Sequence, residues 1–322
     1  MSIHYLHSYF RQCRSQLGNI RTILWQCIVV LFLTVPAFSF GQSVKAVGQA
    51  GGKDAPGVAA QPVAVAPSVL VRMPDGRLLA PDIARIVNRG ELVVAMLKVD
   101  TPPFFFDNKG EWQGLEVDLA NAIAKELKVK LRILRDAPTF NAVVDQLARG
   151  EADLAISKLS RTLARAQTIA FSNPYLTLNH ALILNRVMLA QLSKGRPLPE
   201  VIRNFTGSIG VIAKSSFADY ARQNFPKAKI HEFPSWSDAL TALNKGDVVG
   251  AYRDEFEVKR LLLADPTISL VMRTVTLKDM EDTLGIGVAI SDTTLLAFVN
   301  QFLVQRTEKL DINKVLKALD RK

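Results

Sequence analysis

The most constraining feature of the sequence is a five-segment order, strand, helix, strand, helix, strand, that occurs twice. In the first copy the predicted segments cover residues 91–98, 115–128, 130–135, 139–150 and 152–157. In the second copy they cover residues 208–213, 216–225, 228–233, 235–246 and 248–253. Short β-rich runs that alternate with helices indicate parallel sheets, because parallel strands need a long crossover between them. The repeat therefore predicts an α/β fold of two similar βαβ-type lobes.

The tail of the chain is predicted to return to the first lobe. Residues 285–290 form another strand-like run, and residues 293–310 have the spacing of an amphipathic helix. We therefore expect lobe 1 to comprise 81–178 and 285–322, and lobe 2 to comprise 179–284.

The start of the chain has the pattern of a secretory signal peptide. Arg11, Arg14 and Arg21 precede an uncharged apolar run over 23–40, and small residues follow. We expect a signal peptide over 1–41, cleaved after Gly41, and a periplasmic or otherwise extracytoplasmic mature protein. The alternative is an uncleaved membrane anchor, because the run is close to the ~20 residues that span a bilayer.

Composition after the leader limits the possible partners. Residues 42–80 are largely uncharged and rich in Ala, Gly, Val and Pro, which predicts a flexible tether. The formal charge of +10 falls to +7 without the three leader arginines. The basic residues are scattered among acidic ones and form no stripe with interleaved aromatics, so we expect no nucleic-acid partner.

The candidate ligand site lies where strands of the two copies end. In open α/β sheets, ligands bind beyond the carboxyl ends of the strands. The loop after the first strand offers Lys98, Asp100, Thr101 and Phe104, held in a non-helical turn by two prolines. Phe104 is either a wall for a ligand or an apolar plug beneath the loop.

The segment after residue 157 suits a carboxylate. It offers the hydroxyls of Ser157 and Ser160, together with Lys158 and Arg165. A guanidinium gives a carboxylate two parallel charged hydrogen bonds. The alternatives are a surface ion pair for Arg165 and a solvated surface position for Lys158.

The second copy supplies the complementary groups. Ser215 and Ser216 precede a helix whose N-terminus attracts an anion, although helix capping explains them equally well. Asp254 at the end of the last strand offers a carboxylate to an ammonium group, although acids are common at helix starts for dipole reasons. Cationic, hydroxyl and acidic groups on two facing lobes together suit a zwitterion.

At these positions the chain resembles the extracellular solute-binding proteins of family 3, the periplasmic polar amino-acid-binding proteins of ABC importers. The resemblance runs from about 91 to 306 through PPFFFDNKGEWQGLEVDLANAIAKEL, SKLSRTLARAQTIAFSNPY, IGVIAKSSFADY and VVGAYRDE. It implies a type II periplasmic-binding-protein-like fold, in which a two-strand hinge joins two lobes that close on the ligand.

The resemblance also implies roles for individual residues. Arg165, assisted by Ser160, resembles the clamp on the ligand's α-carboxylate. Ser216 resembles a second hydroxyl on that carboxylate, and Asp254 the acid that receives the α-amino group. Thr101 departs from the family, which usually has a covering aromatic there.

Three lysines are further departures: Lys214 replaces a common glycine, Lys158 a small residue, and Lys98 the acid typical of members with basic ligands. Added positive charge favours an acidic or neutral ligand side chain.

We expect a non-enzymatic monomer without cofactor or metal ion that serves a membrane ABC permease. The mature chain has no cysteine, and His180 and His231 lack metal-like spacing. One alternative is a cyclohexadienyl or prephenate-type dehydratase, for which Glu111, Glu116 or Asp254 would have to act as the acid. Another is a ligand-sensing module for a membrane receptor or wall enzyme. We expect any catalytic domain to belong to a separate protein, because Lys322 follows soon after the tail helix.

Overall fold

The computed structural model describes residues 70–320, which belong to one compact unit. The leader predicted over 1–41, its cleavage site and the alternative membrane anchor all lie outside the described residues. Only the end of the tether predicted over 42–80 is described, and it contains a short antiparallel pair of strands. Within the described part of the chain, no helix is long and apolar enough to cross a bilayer.

The strands, in chain order, are β1 (Val71–Arg72), β2 (Leu78–Leu79), β3 (Glu91–Leu97), β4 (Phe106–Asn108), β5 (Glu111–Gln113), β6 (Lys130–Ala137), β7 (Leu154–Ala155), β8 (Ala170–Phe171), β9 (Leu176–Asn185), β10 (Ser208–Ile212), β11 (Lys229–Phe233), β12 (Gly250–Asp254), β13 (Met272–Leu284) and β14 (Gly287–Val288). The helices are α1 (Pro81–Arg89), α2 (Leu115–Leu127), α3 (Phe140–Ala148), α4 (Arg186–Ser193), α5 (Leu198–Arg203), α6 (Ser216–Asn224), α7 (Trp236–Lys245), α8 (Glu255–Ala264), α9 (Ile268–Val271), α10 (Thr293–Gln305) and α11 (Ile312–Lys317). Two 3-10 turns cover Arg165–Gln167 and Ala318–Asp320.

The first sheet has the strand order β6-β3-β7-β14-β8. β3 pairs in parallel with β6 and β7, whereas β14 is antiparallel to β7 and β8. Its core combines side chains from helices at both ends of the described chain, including Ile86 of α1, Leu119 of α2, Val143 of α3 and Leu295 of α10. The tail after β14 therefore packs on the first sheet.

The second sheet has the strand order β11-β10-β12-β9-β13. β10 pairs in parallel with β11 and β12, and β9 lies antiparallel between β12 and β13. Side chains of β9 alternate between two cores, with Leu182 and Leu184 on one face and Ala181 and Ile183 on the other. Helices cover both faces, so this strand is apolar over residues 181–184, where it lies between the two cores.

Two long antiparallel strands, β9 and β13, connect the two sheets. Their pairing runs from Met272 opposite Asn185 to Leu284 opposite Leu176, with one register shift between Leu277 and Glu281. At the far end, Leu284 forms an isolated bridge with Ser160 of the first copy. The pair is the two-strand connection that the resemblance implied.

The predicted repeat elements are present, with boundaries that differ by a few residues. The largest difference among the strands is β7, which is only Leu154–Ala155 where the prediction covered 152–157. The tail helix predicted over 293–310 ends at Gln305, because Arg306 adopts an extended conformation.

Gly114 sets the contact between the start of α2 and the loop after β3. Its φ of 124° suits glycine, and an added Cβ would lie 2.3 Å from the backbone oxygen of Phe104. The following amides, of Leu115 and Glu116, donate to the carbonyls of Pro103 and Phe104 at 2.9 Å each. This close approach fixes both Glu116 and the loop that carries Phe104.

We expect Gly114→Ala to lower the free energy of unfolding by several kcal/mol, measured by urea denaturation. The matched control is Gly110→Ala, since Gly110 also has a positive φ, of 90°, but no atom lies within 4 Å of the position that an added Cβ would take. The control should cost only the backbone strain, about 1 kcal/mol. Equal losses in the two variants would show that the close approach to Phe104 contributes nothing.

Candidate functional site

A small cavity lies where strand ends of the two sheets face each other. Its volume is about 20 Å³, which is close to the space that one water molecule requires. The lining residues are Phe140, Lys158, Ser160, Ser215, Ser216, Phe217, Arg253, Asp254 and Asp282. Five of the residues predicted for the ligand site therefore meet here: Lys158, Ser160, Ser215, Ser216 and Asp254.

Arg165 lies behind Ser160 and is almost completely buried. Its Nη1 donates to the backbone oxygen of Ser160 at 3.1 Å, while Nε and Nη2 donate to Oδ1 of Asn141 at 3.3 and 3.1 Å. These bonds use three of the five N–H groups of a guanidinium, which leaves two for a carboxylate. Burial lowers the pKa of Arg165, and the nearby Asp282 carboxylate opposes that change.

Two serine hydroxyls from opposite sides of the cavity contact each other. The Oγ atoms of Ser160, which follows β7, and Ser216, which begins α6, are 2.8 Å apart. Ser160 Oγ also donates to Oδ2 of Asp282 at 3.0 Å. The hydroxyl pair therefore joins the first sheet's loops to the second sheet's helix at the place predicted for a carboxylate.

Asp282 is a site residue that the sequence prediction missed. It lies on β13 and is buried, and its Oδ1 has no hydrogen-bond partner among the described residues. Burial raises its pKa to about 6; the Ser160 bond opposes the shift and repulsion by Asp254 adds to it. The only sequence signal was a group of acids, Asp279, Glu281 and Asp282, in which nothing marks the buried member.

Lys158 is buried, in contrast to the alternative of a solvated surface lysine. Its Nζ lies 3.2 Å from Oδ2 of Asp254 and 3.1 Å from Oε1 of Glu257. It also lies 4.7 Å from the ring centre of Phe104 and 5.0 Å from that of Phe256. Two carboxylates and two aromatic faces thus surround one ammonium group.

The backbone at Lys158 is held in an uncommon conformation. Its φ is 47°, a left-handed value, and its N–H donates to the two carboxylate oxygens of Glu116 at 2.9 and 3.2 Å. The hydroxyl of Tyr175 donates to Oε1 of Glu116 at 2.5 Å. Glu116 therefore positions the loop that directs the Lys158 side chain toward the second sheet.

The acceptors of Lys158 belong to a larger ion network at the start of α8. Oδ1 of Asp254 caps this helix by accepting the N–H of Glu257 at 3.1 Å, so the capping alternative also describes this residue. Glu257 pairs with Arg260 at 2.6 Å and with Arg253 at 3.8 Å. Burial alone would raise the pKa of Glu257, but the surrounding cations, Lys158 first, hold it well below its usual range.

Three other predicted site residues make local contacts. Ser157 Oγ accepts the N–H of Leu97 at 2.9 Å, which ties β3 to the end of β7. Ser215 Oγ donates to the backbone oxygen of Ile212 at 2.6 Å. Phe104 is fully buried and packs edge-on against Phe256, with ring centres 5.2 Å apart.

The remaining predicted residues lie toward the outside of the cleft. Lys98 is exposed, and Asp100 pairs with Arg135 at 2.8 Å. Thr101 and Asp100 line a neighbouring cavity of about 150 Å³. This outer cavity is bounded on the opposite side by Trp236, Arg253, Glu257 and Arg260, among other residues.

No group of three or more His, Cys, Asp or Glu is placed to hold a metal ion within residues 70–320. His180 is buried beside the Tyr252 hydroxyl, and burial lowers the pKa of its imidazole to about 4. The ring is therefore neutral at pH 7 and packs among Phe217, Tyr220 and Tyr252.

Comparisons with known proteins agree with the geometry. A family model described as bacterial extracellular solute-binding proteins, family 3, matches residues 92–318. The lysine/arginine/ornithine-binding periplasmic protein of Escherichia coli K12 is 26% identical over 218 residues, covering 66% of this chain and 80% of that protein.

Two further relatives show how far the similarity extends. The arginine-bound form of truncated ArgBP from T. maritima matches with a TM-score of 0.55 and 27% identity, over 69% of this chain and 99% of that one. The membrane-bound lytic murein transglycosylase F 1 of Alkalilimnicola ehrlichii is 37% identical over 142 residues, covering 44% of this chain. The match spans only 26% of that relative. The predicted type II periplasmic-binding-protein-like fold is confirmed.

Glu116 provides a test of how the Lys158 loop is supported. Burial raises its pKa from 4.5 to about 7, although the bonds from Tyr175 and Lys158 favour the ionised form. The folded protein therefore binds this proton more tightly than the unfolded chain does. Its contribution to stability is fully present below about pH 4.5 and is lost as the pH rises to about 7.

We compare the free energy of unfolding of the wild type with that of Glu116→Gln. The wild-type value minus the variant value should fall by about 3 kcal/mol as the pH rises from 4.5 to about 7, because one pKa unit corresponds to about 1.4 kcal/mol. Above pH 7 the difference should be constant. Urea denaturation at a series of pH values measures it, and Glu126→Gln, on the exposed face of the same helix, controls for loss of a carboxyl group. A difference independent of pH would contradict the buried state of Glu116.

Proposed function

Because the chain belongs to the bacterial extracellular solute-binding proteins, family 3, we propose that it binds a small amino acid or related carboxylate by closure of two lobes and delivers it to a membrane ABC permease. The observation that carries this proposal is that Ser160, Ser216 and Asp254 line one crevice, and that Arg165 binds the backbone oxygen of Ser160 directly behind it. A cationic clamp and an acid on facing sides match the two charges of an α-amino acid. The names of the E. coli and T. maritima relatives, which refer to amino acids, support the same ligand class.

The carboxylate end of the ligand is assigned to Arg165, Ser160 and Ser216. Arg165 has two N–H groups beyond its three observed bonds, and the hydroxyl pair lies at the N-terminus of α6. A helix N-terminus and a guanidinium both favour an anion. Binding requires the two hydroxyls to exchange their mutual contact for the ligand's oxygens.

The ammonium end is assigned to Asp254. Its carboxylate faces the same cavity, and Oδ2 already holds an ammonium group, that of Lys158. Asp100 and Thr101, in the loop after β3, contribute the outer wall in this proposal, and Phe104 packs beneath that loop.

We also propose the domain limits and the route of export. Lobe 1 comprises 81–178 and 285–322, and lobe 2 comprises 179–284, a division supported by the packing of α10 on the first sheet and by the β9–β13 connection. The leader directs export to the periplasm and is removed after Gly41. The mature protein acts as a monomer without catalysis.

Two alternatives have a specific observation in their favour. Similarity to the membrane-bound lytic murein transglycosylase favours a ligand-sensing module that serves a membrane receptor or wall enzyme. For a dehydratase, the raised pKa of Asp282 in the cavity offers a candidate acid, whereas Glu116 is fully buried and Glu111 is exposed. We expect purified protein to leave prephenate unchanged, and measurable turnover would favour the dehydratase.

The proposed function is tested with Arg165→Ala. A thermal-shift screen over the twenty amino acids identifies the ligand, because a ligand that binds only the folded state raises the melting temperature. Calorimetry should then show at least roughly a hundredfold weaker binding to the variant, since two charge-assisted hydrogen bonds are lost.

The matched control is Arg161→Ala, an exposed arginine in the same segment, whose affinity should stay within a few-fold of the wild type. Retention of wild-type affinity in Arg165→Ala, with its melting temperature preserved, would contradict the assigned carboxylate clamp.

A further inference from the structure

Asp254 is expected to bind the ammonium group of a ligand, but the ammonium group of Lys158 already contacts it. Lys158 Nζ has carboxylate oxygens at 3.2 and 3.1 Å and two aromatic faces within about 5 Å. Its side chain is 3% exposed, as are those of Asp254 and Glu257. These contacts meet the requirements of a buried ammonium without any ligand.

The carboxylate side of the cavity is also supplied from within. Asp282 Oδ2 accepts the hydroxyl of Ser160, and the Asp282 carboxylate lies within the electrostatic influence of Arg165. Ser160 in turn contacts Ser216. Lys158 thus contacts the acid that would bind a ligand's ammonium group. Asp282 contacts the hydroxyl that would bind the ligand's carboxylate.

These internal contacts connect opposite sides of the cleft. Lys158 follows the first sheet's β7, whereas its two acceptors lie at the end of β12 and in the first turn of α8. The Ser160–Ser216 pair and the Phe104–Phe256 pair join the same two sides. The cavity that remains, about 20 Å³, is too small for an amino acid.

From this arrangement we propose that Lys158 is an internal occupant of the ammonium subsite, which holds the cleft closed without ligand and selects for ligands that carry a second carboxylate. The specificity part rests on the proposed amino-acid binding. A ligand's α-ammonium that binds Asp254 competes with Lys158, whose Nζ lies 3.2 Å from Asp254 Oδ2. Lys158 then keeps Glu257 as its one carboxylate partner, so a further anion nearby would stabilise it.

An acidic ligand side chain supplies that anion. The outer cavity, about 150 Å³, adjoins the site through Arg253 and Glu257, and the guanidinium groups of Arg253 and Arg260 also line it. Glu257 already lies among three cations, Lys158, Arg253 and Arg260. When Asp254 binds the ligand's ammonium group, Glu257 alone faces these three cations. A side-chain carboxylate in this region adds a second anion, whereas a neutral side chain leaves Lys158 with Glu257 as its one carboxylate partner.

The first test measures closure without ligand in the variant Lys158→Met, which keeps the length of the side chain and removes its charge. Small-angle X-ray scattering of ligand-free protein should give a larger radius of gyration for this variant than for the wild type. Lys194→Met is the matched control, because Lys194 has a similar φ, of 48°, but is exposed and lines neither cavity. An unchanged radius in folded Lys158→Met would overturn the proposal.

If Lys158→Met does not fold, Asp254→Asn tests the same contact from the other side. Asparagine keeps an oxygen that can cap α8 but removes the charge that holds Lys158. Ligand-free Asp254→Asn should likewise expand, and a wild-type radius would overturn the proposal.

The second test compares glutamate with glutamine, which have the same shape and differ in charge. Calorimetry on the wild type should show tighter binding of glutamate, and the ratio of the two dissociation constants should fall at least tenfold in Lys158→Met but not in Lys194→Met. A ratio unchanged in Lys158→Met, or tighter binding of arginine than of glutamate by the wild type, would overturn the specificity. If no protein binds any amino acid while Lys158→Met still expands, the proposed function and the ligand class are wrong and the internal closure stands.

Discussion

The buried contact of Lys158 with Asp254 and Glu257 is the interaction on which the cleft of this protein depends. Three charged side chains, each about 3% exposed, share one buried site, and the cation comes from the opposite side of the cleft from the two anions. Buried charges are stable only when they are paired and hydrogen-bonded. The two sides must therefore remain together for as long as this lysine stays on these carboxylates.

Support for that contact extends well behind the cleft. Glu116 binds the backbone N–H of Lys158, Tyr175 binds Glu116, and Gly114 permits α2 to start against the carbonyls of Pro103 and Phe104. Tyr175 itself donates its backbone N–H to Leu284, at the end of β13. The loop that carries Lys158 is thus fixed, through Glu116 and Tyr175, to the same strand pair that connects the two sheets.

Much of the fold was predictable because the signals are local. Helix and strand periods, together with the glycines that follow α1 and α7, are read within a window of a few residues, and the duplicated order follows from them. The shortening of β7 and the early end of α10 were missed, because pairing partners and chain direction decide those boundaries. The pairing of β9 with β13 joins residues about a hundred positions apart, and only the family resemblance indicated it.

The sequence alone determined which chemical groups the strand ends carry: a guanidinium, hydroxyls and acids that occur in two copies of one α/β plan. Only the tertiary structure decided how they are used. It buried Lys158, brought Asp282 from β13 to Ser160, and left Lys98 in solvent. The physical reason is that burial and charge pairing depend on groups distant in sequence, so the same lysine is a solvated surface residue or a buried ammonium according to what faces it.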